Sequence, residues 1–565
     1  MGFEKYGIFS PAMGLREDFP SIFIDEAFVT HSQDPAEDVG GDIEGLNVQL
    51  VDGEIHRAGM RLQVLTTAWS ASKTYDTDEL CVYGSKTWKS KVDDNTGNAP
   101  AEDANWTDVS ASTSLLNPIL KYYWFEMRDG NSYLFTFTKK NVFKWAAGNE
   151  NFIAWCDETL SECTNWQVIT FNDKMIATNQ VNHILAGDDV DEFAYLGSAS
   201  GVDIGGGEYL EAAKYLISFE NYVFAAYTTE ASSTYPQRIR WCDTDEYDDW
   251  SSGNASYADV GNEDYISGLG KMQDFMFIFK ENAIYRLWLS TYETLFDTAE
   301  ISNRIGCLAA DSIVNGKQDD LYFLASDYTI RELHYGEVSR PIDRIVKRIN
   351  PEYVDLVRGK FVAKHSEIWW AIPYGPGATA NNLIICMKDG KWTDRAVAAV
   401  ALGEYERTIA YTWDDMDWNW DDIGWLWDDT SGSKDFRVDL VSDSSGNSYA
   451  AHEGDQDAAA SYEGYFVLST DLTQKQRLND YKRVLFMHLY FRRGGADDTV
   501  DIYARRDHKA WETVSAGESL PTDQIMGEVV VPCDLRCKHL QVQIRAANHF
   551  EFLGVVFDFV MCGDR

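Results

Sequence analysis

The chain has 565 residues, 45% of them apolar and 14% aromatic, with 49 Lys and Arg against 91 Asp and Glu, a formal net charge of −42. That much apolar side chain excludes an intrinsically disordered protein and provides for a sizeable core. The charge argues against wrapping nucleic acid or adsorbing to anionic membrane, because such a surface repels phosphate.

Length alone predicts three or four domains of ordinary size, or two large all-β units. The start, MGFEKYGIFSPAMG, has no basic stretch leading into an apolar run, so no signal peptide is expected. No run approaches ~18 apolar residues, so no transmembrane helix is expected. The nine cysteines, at 81, 156, 163, 242, 307, 386, 533, 537 and 562, are scattered. Scatter of this kind fits buried free thiols formed in a reducing cytoplasm. Cys533 and Cys537 are the one tight pair, and no second Cys or His pair matches them as a zinc site. No metal and no cofactor is expected.

Residues 1–63 read as an N-terminal segment joining the propeller or its ring. Residues 64–111 form a small inserted β module, aromatic and punctuated by the turn NTGNAP. From 112 to 410 a unit recurs, in which a short polar turn precedes an apolar, β-rich strand. The strands centre on Tyr133, Met175, Tyr222, Phe275, Leu321 and Ile368, at steps of 42, 47, 53, 46 and 47 residues. Each is usually followed by another turn and strand, as in LYFLASDYTIRELHYG. A period in the forties to fifties with several strands per unit predicts β-propeller blades, each too small to bury its own faces without neighbours around a ring. Six anchors give five to seven blades. The alternative is a pair of β-sandwiches. One helix is predicted in SRPIDRIVKRINPEYV, where Pro341 stands in the first turn, Ile342, Ile345, Val346 and Ile349 recur at helical spacing, and Pro351 ends the run.

Residues 411–433 hold a tandem repeat: YTWDDMD, WNWDDIG, WLWDDTS. In each unit two aromatics stand two residues apart, which places them on one face of an extended segment and on nearly opposite faces of a helix. The expectation is therefore short strands presenting Trp413, Trp420 and Trp427 to the propeller. The turns between them would hold Asp414, Asp415, Asp421, Asp422, Asp428 and Asp429, facing water or a channel. Calcium binding and sugar stacking are the competing readings. Adjacent Asp pairs point apart in a strand and lack the alternating ligands of a calcium loop.

Residues 434–565 change pattern, with the hairpin RVLFMHLYF, RRGGADD, TVDIYARRD followed by two more strand-like runs, and predict a separate β-sandwich-like domain. Lys482, Arg483, Arg492, Arg493, Arg505 and Arg506 are its main basic cluster, read as a solvated strand face or as a socket for an acidic neighbouring subunit. The fold class expected for the chain is thus all-β: a β-propeller with a C-terminal β-sandwich-like domain and a small inserted β module.

Chemistry-bearing motifs are missing. There is no HExxH, nucleophile elbow, phosphate loop or dinucleotide fingerprint, and GGG at 205–207 lacks the spacing and strand-to-helix context of the last. The expectation is not an enzyme. A glycan hydrolase would need a carboxylate pair that sequence cannot single out among so many acids.

The stretch GLREDFPSIFIDEAF has Gly14, Asp18 and Pro20 in the pattern G-x-x-x-D-x-P. EGLNVQLVDGEIHRAG follows with Asn47, Val48, Asp52, Gly53, Arg57 and Gly59. With the Trp-Asp-Asp repeat and the C-terminal hairpin, this order resembles tail hub (nozzle) proteins of short-tailed bacteriophages. The resemblance implies a structural virion protein made in the host cytoplasm and carried in the tail. It implies a homo-oligomer, a hexameric ring below the portal and adaptor proteins, contacting tail fibre or spike proteins. Genome DNA would pass through its lumen without specific binding, for retention and ejection; no membrane is implied. Separately, Trp69, Tyr75, Val82, Tyr83, Trp88, NTGNAP and Trp106 resemble chitin-binding-type carbohydrate-binding modules. That resemblance implies Trp69 and Trp106 as a core pair and Tyr83 or Trp88 as a platform for a host-surface glycan. It departs from the family at Lys91 and Val92, where adjacent aromatics are common. The alternative function is a propeller-type, lectin-like tail protein.

Overall fold

The computed structural model describes residues 4–9, 21–23, 45–51, 54–58, 62–261, 264–290, 295–316, 320–334, 337–339, 349–388, 391–406, 437–451, 463–470, 481–492, 498–507, 509–521, 526–538, 540–547 and 550–562. The protein is all-β, and its chain divides into two compact units. One comprises Gln63–Asn382 and Ala398–Ala451; the other Met1–Leu62, Leu383–Val397 and His452–Arg565.

The first unit is a propeller of seven successive antiparallel sheets. The first blade is Ile119–Glu126, Ser132–Thr138, Val142–Ala146 and Asn151–Ala154, and the second is Gln167–Phe171, Lys174–Thr178, Leu185–Gly187 and Ala194–Tyr195. The third runs from Val202–Asp203 through Tyr209–Phe219, Tyr222–Glu230 and Ser233–Trp241 to Ser256–Asp259. The fourth is Ile266–Met272, Phe275–Lys280, Ile284–Leu289 and Phe296–Ser302; the fifth is Val314–Asn315, Leu321–Leu324, Ile330–His334 and Glu337–Val338. Arg358–Val362 pairs with Glu367–Ile372 in the sixth. The seventh joins Leu402–Glu406, Arg437–Ser442 and Ser448–Ala450 to the early strand Leu62–Val64.

The sequence dictates these hairpins locally. Phe171 faces Lys174 and Phe219 faces Tyr222 across two-residue turns. In those turns Asn172–Asp173 and Glu220–Asn221 all have positive φ, the mirror-image turn whose twist matches paired strands. The anchors at Tyr133, Met175, Phe275, Leu321 and Ile368 lie in the second strands of their blades, and Tyr222 in the third strand of the five-stranded third blade. Those strands are the most buried of their blades; every residue of EIWWAI is buried.

Ring closure is visible in packing and in polar staples. Val64, Tyr122, Leu134, Ala401, Tyr405, Leu440 and Ala450 share one core between the first and seventh blades. Tyr122 Oη donates to Ser448 Oγ at 2.6 Å, and Ser442 Oγ to the Ile119 carbonyl at 3.1 Å. Thr178 Oγ1 donates to Ala213 O at 2.6 Å between blades two and three, and Trp370 Nε1 to Ser312 O at 3.0 Å between the fifth-blade lead-in and the sixth. Lys360 of the sixth reaches Glu404 at 2.8 Å and Asp439 at 3.6 Å in the seventh. Because an N-terminal strand completes the last blade, unfolding either end opens the ring.

The second unit is a sandwich. One sheet orders Ser21–Phe23, Glu4–Phe9, Glu551–Cys562, Tyr481–Arg492 and Met526–Cys537, with the hairpin Val48–Val51 and Glu54–Arg57 pairing onto Glu551–Cys562. The other includes Leu383–Lys388, Lys391–Arg395, Gly45–Leu46, Gly464–Thr470, Leu540–Ala546, Thr499–Arg506 and Trp511–Ser519. Phe466, Ile502, Val542 and Ile544 from one sheet and Met487, Leu489, Val531, Phe552 and Phe557 from the other fill a single apolar core.

Two boundaries differ from expectation. The N-terminal strands up to Glu54–Arg57, where a segment joining the propeller was expected, belong to the sandwich unit. Arg437–Ser442 and Ser448–Ala450 belong to the seventh blade, although a C-terminal domain was expected from 434. Glu406 stands opposite Arg437, so residues 407–436 interrupt one hairpin of that blade. Of the helix expected over 341–350, residues 341–348 lie outside the described residues, while Ile349 forms an antiparallel bridge with Tyr374 and Asn350 is extended, so the helix does not reach its expected end. Within its flank, Asn350 caps a 3-10 turn, Pro351–Leu356, by accepting from Glu352 N at 3.2 Å.

Candidate functional site

Propeller enzymes and binding propellers commonly use the axis, where inner strands converge. Here the short turn Ala310–Ser312, leading into the fifth blade, carries Asp311 into that position. Gln167 and Arg358 open the inner strands of blades two and six, and Lys121 is the third residue of the first blade's inner strand. All three converge on Asp311, whose side chain is 6% exposed. Its Oδ1 accepts from Lys121 Nζ at 3.3 Å and Gln167 Nε2 at 2.9 Å; its Oδ2 accepts from Asn165 Nδ2 at 2.5 Å and lies 3.5 Å from Arg358 Nη1.

Two glycines allow the close approach. A Cβ on Gly268 of the fourth blade would stand 2.7 Å from Ile313 Cδ1 and 3.1 Å from Ala310 Cα. One on Gly359 of the sixth would stand 2.5 Å from Val314 Cγ2. Burial pushes the Asp311 carboxyl upward; the Lys121 and Arg358 charges and the two amides outweigh it and hold it below the usual carboxylate range. The group is thus an ionised, fully engaged carboxylate. Chemically it ties four blades together and has no proton to give at neutral pH.

The inserted module extends the first blade. Glu79–Tyr83, Lys86–Ser90 and Trp106–Asp108 form an antiparallel sheet, and Leu80 pairs with Phe152 at the blade's outer edge. Glu79, buried, accepts from Asn149 Nδ2 at 3.0 Å and Asn151 Nδ2 at 2.7 Å, fixing the junction. The module thereby covers an edge strand that would otherwise be open to pairing.

Of the two residues expected as a sugar platform, the structure separates one from the other. Trp88 is a correction: it is 7% exposed, in a core with Tyr75, Cys81 and Trp106, and its Nε1 donates to Tyr83 O at 3.1 Å. The hairpin between residues 83 and 86 supplies that carbonyl, so the indole buries without an unpaired N–H. Tyr83 is 43% exposed, its ring edge-to-face with half-buried Trp69 at 5.3 Å. Trp69 therefore packs beside the core and Trp106 within it.

Trp413, Trp420, Trp427 and the six repeat aspartates lie outside the described residues. Of the basic cluster, Arg493 lies outside the described residues; the other five divide between two sheets of the sandwich and are largely paired at home. Arg483 meets Asp534 at 2.5 Å, Arg492 meets Glu551 at 3.4 Å, Arg506 meets Glu512 at 2.6 Å, and Lys482 is buried. Burial pushes the Cys533 and Cys537 thiols up to about 12. Thiols so raised are poor metal ligands at neutral pH.

Sequence reasoning missed the Asp311 network, because its members come from 121, 165, 167, 311 and 358. It also missed Asp320, Glu332 and His334 on the fifth blade, whose ligand atoms lie within 4.8 Å of one another. The spacing D-x11-E-x-H across a hairpin was the available signal.

No protein-family model and no curated protein matches the chain. Among solved structures, the extracellular domain of a hybrid two-component system from B. thetaiotaomicron aligns at 10% identity and TM-score 0.31, over 56% of this chain and 39% of that one. An exo-beta-1,3-galactanase from Phanerochaete chrysosporium aligns at 10% identity and TM-score 0.25, over 71% and 98%. A glycoside hydrolase aligns at 11% and 0.26, over 78% and 100%. Likeness at this level carries no argument about activity.

Proposed function

We propose that the chain is a structural protein, a tail hub of a short-tailed bacteriophage that assembles as a ring below a portal and adaptor and lines part of a DNA conduit. The observation that supports it best is the axis of the propeller. The Asp311 carboxylate there is consumed by Lys121, Asn165, Gln167 and Arg358, which suits a closed building block. On this reading the conduit runs between copies of the chain, not through a propeller. The net charge of −42 favours passage of DNA without adhesion, since contact with acids releases no counterions. No reaction is assigned to the chain.

The test is the mass of the purified full chain, alone and after mixing with portal and adaptor proteins of a short-tailed phage. A closed ring of six copies on the template supports the proposal. A chain that stays monomeric on every template and turns over a polysaccharide overturns it.

A second reading, weak binding of a host-surface glycan, rests on exposed Tyr83 and its ring contact with Trp69. It is compatible with the first, as a hub that also touches the host.

A further inference from the structure

The fifth blade carries a chemistry that neither the axis nor the inserted module uses. Leu321 stands opposite Leu333 and Tyr322 opposite Glu332. The next step of this ladder brings Asp320 across from His334, and Glu332 and His334, two apart on one strand, share a face. Asp320, Glu332 and His334 thus project to one side of a two-strand ladder.

Their donor atoms, one from each side chain, all lie within 4.8 Å of one another. His334 Nδ1 is hydrogen-bonded to Asp320 Oδ1. The Asp320 side chain is 8% exposed, and that of His334 is 52% exposed. The site is therefore anchored in the blade at one end and open to solvent at the other.

The local charge balance is the independent observation. Among the described residues no Lys or Arg nitrogen comes within 4 Å of either the Asp320 or the Glu332 carboxylate. The basic residue just before Glu332 on that strand, Arg331, is spent elsewhere, on Asp327 and on the Ser339 carbonyl at 2.8 Å. A nearly buried carboxylate beside a second one, with only the imidazole of His334 to offer positive charge, is a costly arrangement that a bound cation relieves.

We propose that Asp320, Glu332 and His334 bind one divalent transition-metal ion. Two carboxylate oxygens and one imidazole nitrogen on one face are the donor set that suits zinc, manganese or cobalt; calcium and magnesium prefer oxygen alone. The exposed side leaves coordination positions for water or for a donor from another molecule. The ion would clamp the two strands at the end of the ladder where Asp320 meets His334. No redox step is implied.

The test uses the full chain, stripped with chelator and titrated with Co2+ alone. Cobalt reports its ligands: visible d–d bands without the intense near-ultraviolet band of sulfur ligation exclude the cysteines as its site. One equivalent per chain with that spectrum is expected. His334→Ala and Glu332→Gln, both at exposed or half-exposed positions that leave the core intact, are expected to weaken binding by about tenfold or more. Wild-type binding of less than one equivalent, a thiolate spectrum, or unchanged affinity in both variants would overturn the site. The proposal stands apart from the assignment as a hub, since the readout needs neither a ring nor a portal.

Discussion

The two units bury opposite chemistry at their centres. The sandwich closes on an apolar core drawn from both sheets, while the propeller closes its axis on a carboxylate with a lysine, an arginine and two amides. A sandwich needs complementary apolar faces, and many combinations of Val, Ile, Leu and Phe supply them. A ring of seven sheets has a further requirement, that non-adjacent blades agree on one centre. Directional bonds to a single carboxylate impose that, at the cost of desolvating it.

The largest effect expected follows from breaking that centre. Asp311→Ala leaves Lys121 and Arg358 beside a neutral void and is expected to destabilise the propeller by about 3–5 kcal/mol, read as a lower denaturant midpoint for its transition. Asp311→Asn keeps the shape and separates charge from packing. The same group sets an acid limit. Its pKa is depressed in the folded state, so its contribution is fully present above the ordinary carboxylate range of about 4. It is lost as pH falls through the folded value. Asp311→Asn is expected to flatten that part of the stability–pH curve, and an unchanged acid transition would show that the network contributes little.

Next is Trp88→Ala. It removes a buried indole from a small core and is expected to cost about 3–5 kcal/mol within the module, with early protease cleavage between 64 and 111 as the readout. Against the axis, it tests whether apolar packing alone holds the blade extension. A module that survives unchanged would mean that the Glu79 junction, not the core, carries it.

In the sandwich the counterpart of Asp311 is Asn47. Its φ is +56, a conformation Asn tolerates better than most residues. Its Nδ2 donates to Glu463 O at 2.8 Å and its Oδ1 accepts from Ala396 N at 3.0 Å. One side chain thus joins three separate chain segments of that unit. Asn47→Ala is expected to lose about 2–3 kcal/mol and Asn47→Gly somewhat less, because glycine keeps the backbone conformation and loses only the bonds. Equal losses would assign the cost to hydrogen bonding alone.

These residues also mark what the sequence made legible. Six blades were readable because each carries one buried strand that follows a polar turn, spaced as evenly as the sheets themselves. The seventh was hidden: residues 407–436 separate its first strand from Val438 and Leu440, so the period fails there and those strands were given to the next domain. Asp311 was not legible because its partners are fixed by ring closure, which no local pattern encodes. Asn47 lay in a motif that resemblance singled out, but its role as a tie between segments needs the sandwich to be seen. Trp88 was given to the surface because an aromatic near a turn can serve either a core or a ligand, and the Tyr83 carbonyl that satisfies its N–H is a matter of hairpin geometry.

The smallest effect is the most discriminating for function. Tyr83→Ala removes a ring that is 43% exposed and touches Trp69 only by its edge, so stability is expected to change by no more than about 1 kcal/mol. If the module holds glycan, full-length protein is retained on insoluble chitin, and Tyr83→Ala loses retention while its unfolding midpoint stays put. Trp88→Ala would lose both together, because the platform is then carried on a core that has failed. Retention that survives Tyr83→Ala places any sugar contact elsewhere. Absence of retention in the parent protein leaves the module one physical task, covering the open edge of the first blade, which the pairing of Leu80 with Phe152 already performs.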